Sequence, residues 1–184
     1  MLFRSSRSPE GSPVQIGTPF DRETVERGCS RLSLTAGPSE LLPGVFTTGQ
    51  IPRKTDFEDT GGKFYLDMEL TKADPLDDDQ SLVIDTGRGL VLVAGCCHSG
   101  IINTLRYVTE QWDKDRFLLV MGGLHLVNAD EARLDATVRE LKRFDIGQFA
   151  PGHCTGSNAT VRFMEAFPEI TTPIHTGWRW SMNA

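Results

Sequence analysis

The feature that most constrains the fold is a set of three segments in a fixed order: an apolar run, a short loop that contains a histidine, and a segment with apolar residues at helical spacing. The clearest copy begins at residues 90–94 (LVLVA), which lie between Gly89 and Gly95 and are followed by apolar residues at helical spacing over 101–108. A five-residue apolar run bounded by glycines favours a strand over a helix. His98 is therefore predicted to lie on a strand-to-helix loop, where ligand-binding groups are commonly displayed.

This order recurs twice further along the chain. Each copy has a predicted strand, a histidine and a predicted helix: residues 117–121, His125 and residues 129–144, then residues 148–150, His153 and residues 158–167. Strands that alternate with helices predict an α/β fold. The repeated order delivers all three histidines to the same end of the sheet.

Three histidines in matching positions favour metal ligation. Neutral imidazole is the commonest metal ligand, and loops that converge at one sheet edge bring distant residues together. The alternative for each histidine is a hydrogen bond that stabilises its loop. We predict His98, His125 and His153 as metal ligands, whereas His175 has no strand-loop context and is predicted to be structural.

Three cysteines adjoin these histidines, at Cys96, Cys97 and Cys154. Thiolates are good zinc ligands. Small free cysteines are also common packing residues, and neighbouring side chains on a strand face away from one another. We interpret all three as packing residues rather than ligands.

The remaining chain predicts one domain with irregular ends. Residues 1–30 are expected to be an irregular segment with a short helix capped by Asp21, residues 31–170 the domain, and residues 171–184 a tail. Further strands are predicted over the ranges 31–35, 44–48 and 81–85, the last forming a hairpin with residues 90–94. An acidic cluster, Asp74 and residues 77–79, is interpreted as a solvated turn rather than a metal site.

Composition excludes several partners. The 184 residues carry a net charge of -6 and 39% apolar residues, which gives no reason to expect nucleic-acid or anionic-membrane binding. No apolar run is long enough for a membrane span, and the first residues lack a secretory signal. We expect a cytoplasmic protein with reduced cysteines.

Three histidine-containing stretches resemble successive motifs of the metallo-β-lactamase superfamily. They are residues 95–103 (GCCHSGIIN), 122–126 (GGLHL) and 151–156 (PGHCTG). Residues 42–53 and 77–84 extend the resemblance, in collinear order, to the branch that is similar to dihydropterin-ribofuranosylaminobenzene-phosphate synthase. The resemblance covers roughly residues 20–170.

The resemblance implies a fold, a cofactor and a role for each histidine. It implies the C-terminal part of an αββα sandwich with one or two metal ions at the sheet edge, zinc in the first place and iron or manganese as alternatives. It makes His98 a ligand of the first metal and His153 the terminal ligand of the second. His125 falls near a position where many members have a bridging aspartate.

One family motif is absent from the sequence. The His-x-His-x-Asp-His pattern that supplies most ligands in the superfamily occurs nowhere in these 184 residues, whose first histidine is His98. We therefore expect a truncated form of a metal-dependent hydrolase, which is active if another chain or a longer product supplies the motif. The alternatives are a transferase-like member of the synthase branch, a non-catalytic interaction module, and a single zinc held by the three histidines alone.

A half-sandwich would also leave an apolar face of its sheet uncovered. Large exposed apolar patches favour association. We expect a homo-oligomer or a complementing chain.

Overall fold

The computed structural model describes residues 4–182 of the chain. A seven-stranded mixed sheet forms its centre. The strands are β3 (Ser39–Leu42), β4 (Val45–Thr47), β5 (Ser81–Asp85), β6 (Leu90–Ala94), β7 (Arg116–Gly123), β8 (Asp145–Ile146) and β9 (Phe149–Gly152). They follow the order β3-β4-β5-β6-β7, and β8 and β9 both pair with β7. The α/β class predicted from the sequence is confirmed.

The direction of the strands changes at β6. The pairs from β3 to β6 are antiparallel, whereas β7 runs parallel to β6, β8 and β9. The parallel strands β6, β7 and β9 therefore end at one edge of the sheet. Each is followed by a loop and a helix, which is the connection that a parallel pair requires.

Three helices cover one face of this sheet: α2 (Ile101–Trp112), α3 (Glu131–Leu141) and α4 (Ser157–Ala166). Their apolar stripes pack with inward residues of β5, β6 and β7 in the main hydrophobic core. Val83, Leu92 and Val120 from the sheet and Ile102 and Leu134 from the helices are fully buried there. This core fixes the sheet edge from which the three histidine loops start.

The second face of the sheet is much less covered. Val91, Leu119 and Ala150 are buried on it. A C-terminal strap, defined as residues 171–180, covers part of this face with Trp178 and Trp180. The strap begins beside β9, where Thr172 N donates to Phe149 O and Ile174 N donates to Pro151 O.

The N-terminal part of the chain differs from the prediction. Residues 1–30 were expected to be irregular apart from one short helix. The structure has that helix, α1 (Arg22–Gly28), and also a hairpin of β1 (Ser5–Arg7) and β2 (Pro13–Gln15) that was not predicted. The α1 cap is confirmed, because the Asp21 carboxylate accepts from Thr24 N at 2.8 Å.

The strand predicted over residues 31–35 is wrong. These residues form no regular element, and Leu34 is 73% exposed. Alternation predicted a half-buried strand, yet none of the described residues pairs with this segment. The chain instead forms β3 four residues later, where β4 provides a partner.

Candidate metal centre

The three predicted histidines lie at the edge where β6, β7 and β9 end. His125 and His153 follow the last residues of β7 and β9 by two positions and one position, and His98 follows β6 by four. The ring centroids of His98 and His125 are 4.1 Å apart. The structure therefore brings together the three imidazoles that the sequence singled out, while their role as ligands stays a prediction.

Two cysteine thiols share this site. One ligand atom each from Cys96, His125 and Cys154 lies within 4.8 Å of the others. The Cys96 sulfur also lies 3.3 Å from Nε2 of His153, and the Cys154 sulfur contacts the Cys96 carbonyl at 3.6 Å. We call the five residues of this arrangement the His–Cys cluster: His98, His125, His153, Cys96 and Cys154.

The interpretation of Cys96 and Cys154 as packing residues is wrong, whereas that of Cys97 is confirmed. Cys97 is 1% exposed, belongs to the main core and contacts the Thr104 hydroxyl at 3.4 Å. Neighbouring side chains alternate in direction along a strand, but β6 ends at Ala94 and both cysteines lie in the loop after it. The rule that favoured packing therefore does not fix the direction of either thiol.

The backbone is strained at the cluster. Six non-glycine residues between 4 and 182 have positive φ, and three of them lie here: His125 (44°), His153 (51°) and Cys97 (59°). This left-handed conformation is unfavourable for most side chains, and such residues concentrate at functional sites. The strain lies in the loops that turn the chain from each strand end back towards the helices.

A loop of residues 57–64, which we call the covering loop, closes over two of the histidines. The carbonyl of Thr60 lies 2.8 Å from Nδ1 of His98, which orients that ring and leaves Nε2 for another partner. Gly61 lies directly against the His125 ring, and a Cβ built at Gly61 would meet that ring at 2.2 Å. The Phe64 ring stands edge-on to His98, with centroids 5.1 Å apart.

Burial disfavours the charged forms of two groups in the cluster, His125 and Cys96. Burial, with the nearby charges of His98 and Arg133, lowers the pKa of His125. Burial also raises the pKa of the Cys96 thiol to about 11, with a further contribution from Cys154. A bound cation would reverse this balance for the thiol, because metal coordination deprotonates cysteine.

The donor set fits a metal. Nδ1 of His125 is buried and has no hydrogen-bond partner within residues 4–182, although buried polar atoms are normally paired. Imidazole nitrogens and thiolate sulfurs are the ligands that zinc prefers, and the fixing of His98 by a backbone carbonyl is typical of metal-bound histidine. Cys96, His125 and Cys154 could hold the ion, with His98 and His153 as further donors.

The acidic cluster has structural partners instead of a ligand role. Asp74 accepts from Arg4 Nε at 2.7 Å and from Leu76 N at 2.8 Å. Asp79 accepts from Ser99 N at 2.8 Å and so ties this turn to the loop that carries His98. His175 is exposed, and its Nδ1 contacts the Thr176 carbonyl, as expected for a histidine outside the site.

Comparisons with known proteins agree with the fold. No family model matches the chain. It is 34% identical, over 96% of its length, to 7,8-dihydropterin-6-methyl-4-(β-D-ribofuranosyl)-aminobenzene-5'-phosphate synthase of Methanocaldococcus jannaschii, of which it covers 62%. It is 29% identical, over 73% of its length, to the uncharacterized protein MJ0448 of the same organism, of which it covers 49%. The chain thus spans less than two thirds of these relatives.

A solved structure has the same fold. Tm1679, a metal-dependent hydrolase of the β-lactamase superfamily, superposes on the whole chain with a TM-score of 0.84 and 23% identity, and 68% of that protein is matched. None of the helices within residues 4–182 is long and apolar enough to cross a bilayer. The chain has the fold of the metallo-β-lactamase superfamily and resembles its dihydropterin-ribofuranosylaminobenzene-phosphate synthase-like branch.

Proposed function

We propose that this chain carries the C-terminal half of a metal-dependent active site, with His98, His125 and His153 among the ligands, in an enzyme that acts on a small molecule. The observation that supports this proposal most directly is the unpartnered, buried Nδ1 of His125 beside two thiols. An orphan nitrogen among soft donors is expected where a cation completes the site.

Residues in and around the His–Cys cluster have different roles in this proposal. Thr60 holds His98 in one orientation through Nδ1. Burial keeps His125 neutral, so that its nitrogen is available to a cation. The covering loop shields the two rings from water. Zinc bound here would supply a Lewis acid that polarises a carbonyl or phosphoryl oxygen of the substrate.

The reaction class we favour is hydrolysis, with transfer as the second candidate. The fold shared with a metal-dependent hydrolase over the whole chain supports hydrolysis. The 34% identity to a synthase supports transfer, because the name of that relative describes a molecule that contains a pterin, an aminobenzene and a ribose phosphate. In either case we propose a cytoplasmic enzyme whose remaining metal ligands come from a further polypeptide segment, in the same gene product or in a complementing chain.

A cobalt titration tests the metal-binding part of the proposal. Cobalt(II) replaces zinc and gives visible absorption together with a thiolate charge-transfer band when cysteine is a ligand. We expect both signals in the unmodified chain, a weaker charge-transfer band in Cys96→Ser, loss of that band in the double variant Cys96→Ser, Cys154→Ser, and unchanged spectra in His175→Ala. A chain that stays colourless with excess cobalt would contradict the proposal.

Assays on chromogenic esters and phosphodiesters distinguish hydrolysis from transfer and from a non-catalytic role. We expect zinc-dependent hydrolysis that His98→Ala abolishes and His175→Ala retains. Metal binding without hydrolysis would favour transfer. Stable folding with neither metal nor hydrolysis would favour the non-catalytic interaction module.

A further inference from the structure

Two thiols from distant parts of the chain lie side by side in the His–Cys cluster. Cys96 lies in the loop after β6, and Cys154 lies in the short helical turn (His153–Thr155) after β9. Their sulfur atoms lie within 4.8 Å of one another, although the residues are 58 positions apart in the sequence. The fold therefore creates a pair of cysteines that local sequence does not contain.

The strand between the two cysteine loops leaves room for this pair. β7 lies between β6 and β9 and ends at Gly123. A Cβ built at Gly123 would lie 2.8 Å from the Cys154 sulfur and 3.0 Å from the His153 ring. Any side chain at this position would push the Cys154 loop away, so the glycine allows the two sulfurs to approach.

Solvent reaches both members of the pair. Cys96 and Cys154 are partly exposed, whereas the adjacent Cys97 is 1% exposed and belongs to the main core. All four cysteines of the chain are free thiols. A disulfide needs a sulfur–sulfur distance of about 2.05 Å, and rotation of side chains between staggered positions moves sulfur atoms far enough to close the gap.

The proximity of the second thiol, and not an unusual reactivity of the first, distinguishes this pair. Burial raises the pKa of the Cys96 thiol to about 11, so its first oxidation is slow near neutral pH. A sulfenic acid formed on either sulfur has the other thiol beside it, and it condenses with that thiol before a second oxidant molecule arrives. The product is then a disulfide instead of a sulfinic acid.

We infer that Cys96 and Cys154 form a reversible disulfide with each other when the chain meets a peroxide. One sulfur attacks a peroxide oxygen, the O–O bond breaks, and a sulfenic acid and one water are formed. The other sulfur then attacks the sulfenic sulfur, the S–O bond breaks, and a second water leaves. The two thiols lose two electrons in total, and these reduce hydrogen peroxide to two molecules of water. A dithiol reductant restores both thiols by exchange.

This inference goes beyond the proposed function and does not need a bound metal. It has a consequence for the metal centre, because a disulfide removes two sulfur donors from the His–Cys cluster. Oxidation and metal binding through these thiols therefore oppose each other. Disulfides of proteins in reducing compartments are usually transient and sense the redox state, which is the behaviour expected of this pair.

Thiol counting and intact mass test the inference on metal-free protein. The chain carries Cys29→Ser, because Cys29 is exposed at the end of α1 and would link separate molecules. Of the four cysteines, three then remain. After treatment with hydrogen peroxide we expect one free thiol in denaturant and a mass lower by about 2 Da, both reversed by dithiothreitol. Three remaining thiols, or a mass that rises by added oxygen alone, would overturn the inference.

Variants and peptide mapping identify the partners. In the same Cys29→Ser background, Cys96→Ser and Cys154→Ser are each expected to form no intramolecular disulfide. Cys97→Ala is the matched control and is expected to lose both remaining thiols. Peptide mapping of the oxidised Cys29→Ser chain is expected to find Cys96 linked to Cys154, and a link that involves Cys97 would overturn the assignment even if Cys97→Ala fails to fold.

Zinc added before the peroxide separates this inference from the proposed function. We expect zinc to slow disulfide formation at least about tenfold, because a sulfur bound to a cation is not free to attack the peroxide. Equal rates with and without zinc would leave the disulfide standing and contradict the two thiols as metal ligands. A chain that binds zinc but forms no disulfide in its metal-free state would overturn this inference alone.

Discussion

His125 and His153 hold a backbone conformation that histidine seldom adopts, and Cys97 in the first loop does the same. Left-handed φ costs a residue with a Cβ roughly 1–2 kcal/mol. The fold tolerates this cost at the sheet edge because the strand ends and helix starts fix both ends of each loop. The strained conformation at His125 leads to a quantitative prediction.

His125→Gly is expected to be more stable than His125→Ala by about 1 kcal/mol, because glycine accepts positive φ without a steric penalty. Both variants lose the same imidazole, so the comparison isolates the backbone. Urea unfolding of the two metal-free proteins measures the difference. Equal midpoints, or a more stable alanine variant, would show that the loop is not strained at this residue.

At the scale of elements, the N-terminus of α2 depends on a distant carboxylate. Gly100 provides no side-chain cap, and Glu58 of the covering loop accepts from Ile102 N and Asn103 N, each at 2.9 Å. Glu58 is 9% exposed. This contact joins the covering loop to the helix that follows His98, so that the cap and the position of the loop depend on each other.

Glu58→Ala is expected to lower the free energy of unfolding by about 2–3 kcal/mol, because it leaves two N–H groups buried without an acceptor. Glu58→Gln keeps one acceptor and is expected to lose about half as much. Thermal unfolding measures both changes. The surface variant Glu110→Gln serves as the control, and a Glu58→Ala loss no larger than that of the control would contradict the capping role.

The Glu58 carboxyl also makes the free energy of unfolding depend on pH. Burial raises the pKa of Glu58 above its ordinary value of 4.5, although its hydrogen bonds oppose the shift. The folded state therefore holds this proton more tightly than the unfolded state. The contribution of Glu58 is largest below about pH 4.5 and declines as the pH rises through the folded-state pKa.

Unfolding at several pH values, compared with Glu58→Gln, measures this contribution. We expect the unmodified chain to lose stability relative to the variant as the pH rises above 4.5. A relative stability that increases over this interval would mean that the hydrogen bonds outweigh burial at Glu58.

Much of this arrangement follows from local sequence, and the rest depends on tertiary partners. The strands β5, β6, β7 and β9, the three core helices and the gathering of the three histidines could be predicted because apolar periodicity and glycine boundaries mark them. The β1–β2 hairpin could not, since its position depends on pairing between Ser5 and the distant Tyr65.

The position of the covering loop could not be predicted from the sequence either. Its contacts with His98 and His125 use the Thr60 carbonyl and the Gly61 backbone, which carry no side-chain signature. Cys96 and Cys154 were not predicted as candidate ligands for a different reason. The sequence does not distinguish a cysteine that packs in the core from one whose thiol faces a cleft, because the direction of the side chain is not known.

At the scale of the whole molecule, the two faces of the sheet are unequal. Three helices bury one face, whereas the C-terminal strap covers only part of the other, on which Leu82 of β5 is 37% exposed. An apolar sheet face of this kind favours association through it. A homo-oligomer or a complementing chain is accordingly part of the proposal.

Leu82→Lys is expected to reduce association of the purified chain, because it places a charge on the open face. Val161→Lys, on the exposed side of α4, is the matched control and is expected to associate like the unmodified chain. Analytical ultracentrifugation over a range of concentrations measures the effect. A monodisperse monomer in the unmodified protein would contradict the proposed association.

The measurement that tests the central claim most directly is the metal content of the purified chain after equilibration with zinc and removal of free ions, by plasma mass spectrometry. We predict close to stoichiometric zinc in the unmodified protein and in His175→Ala, and loss of the metal in His125→Ala and in the double variant Cys96→Ser, Cys154→Ser. A folded chain that retains no zinc, or zinc that persists in His125→Ala, would contradict the account of the His–Cys cluster as a metal centre.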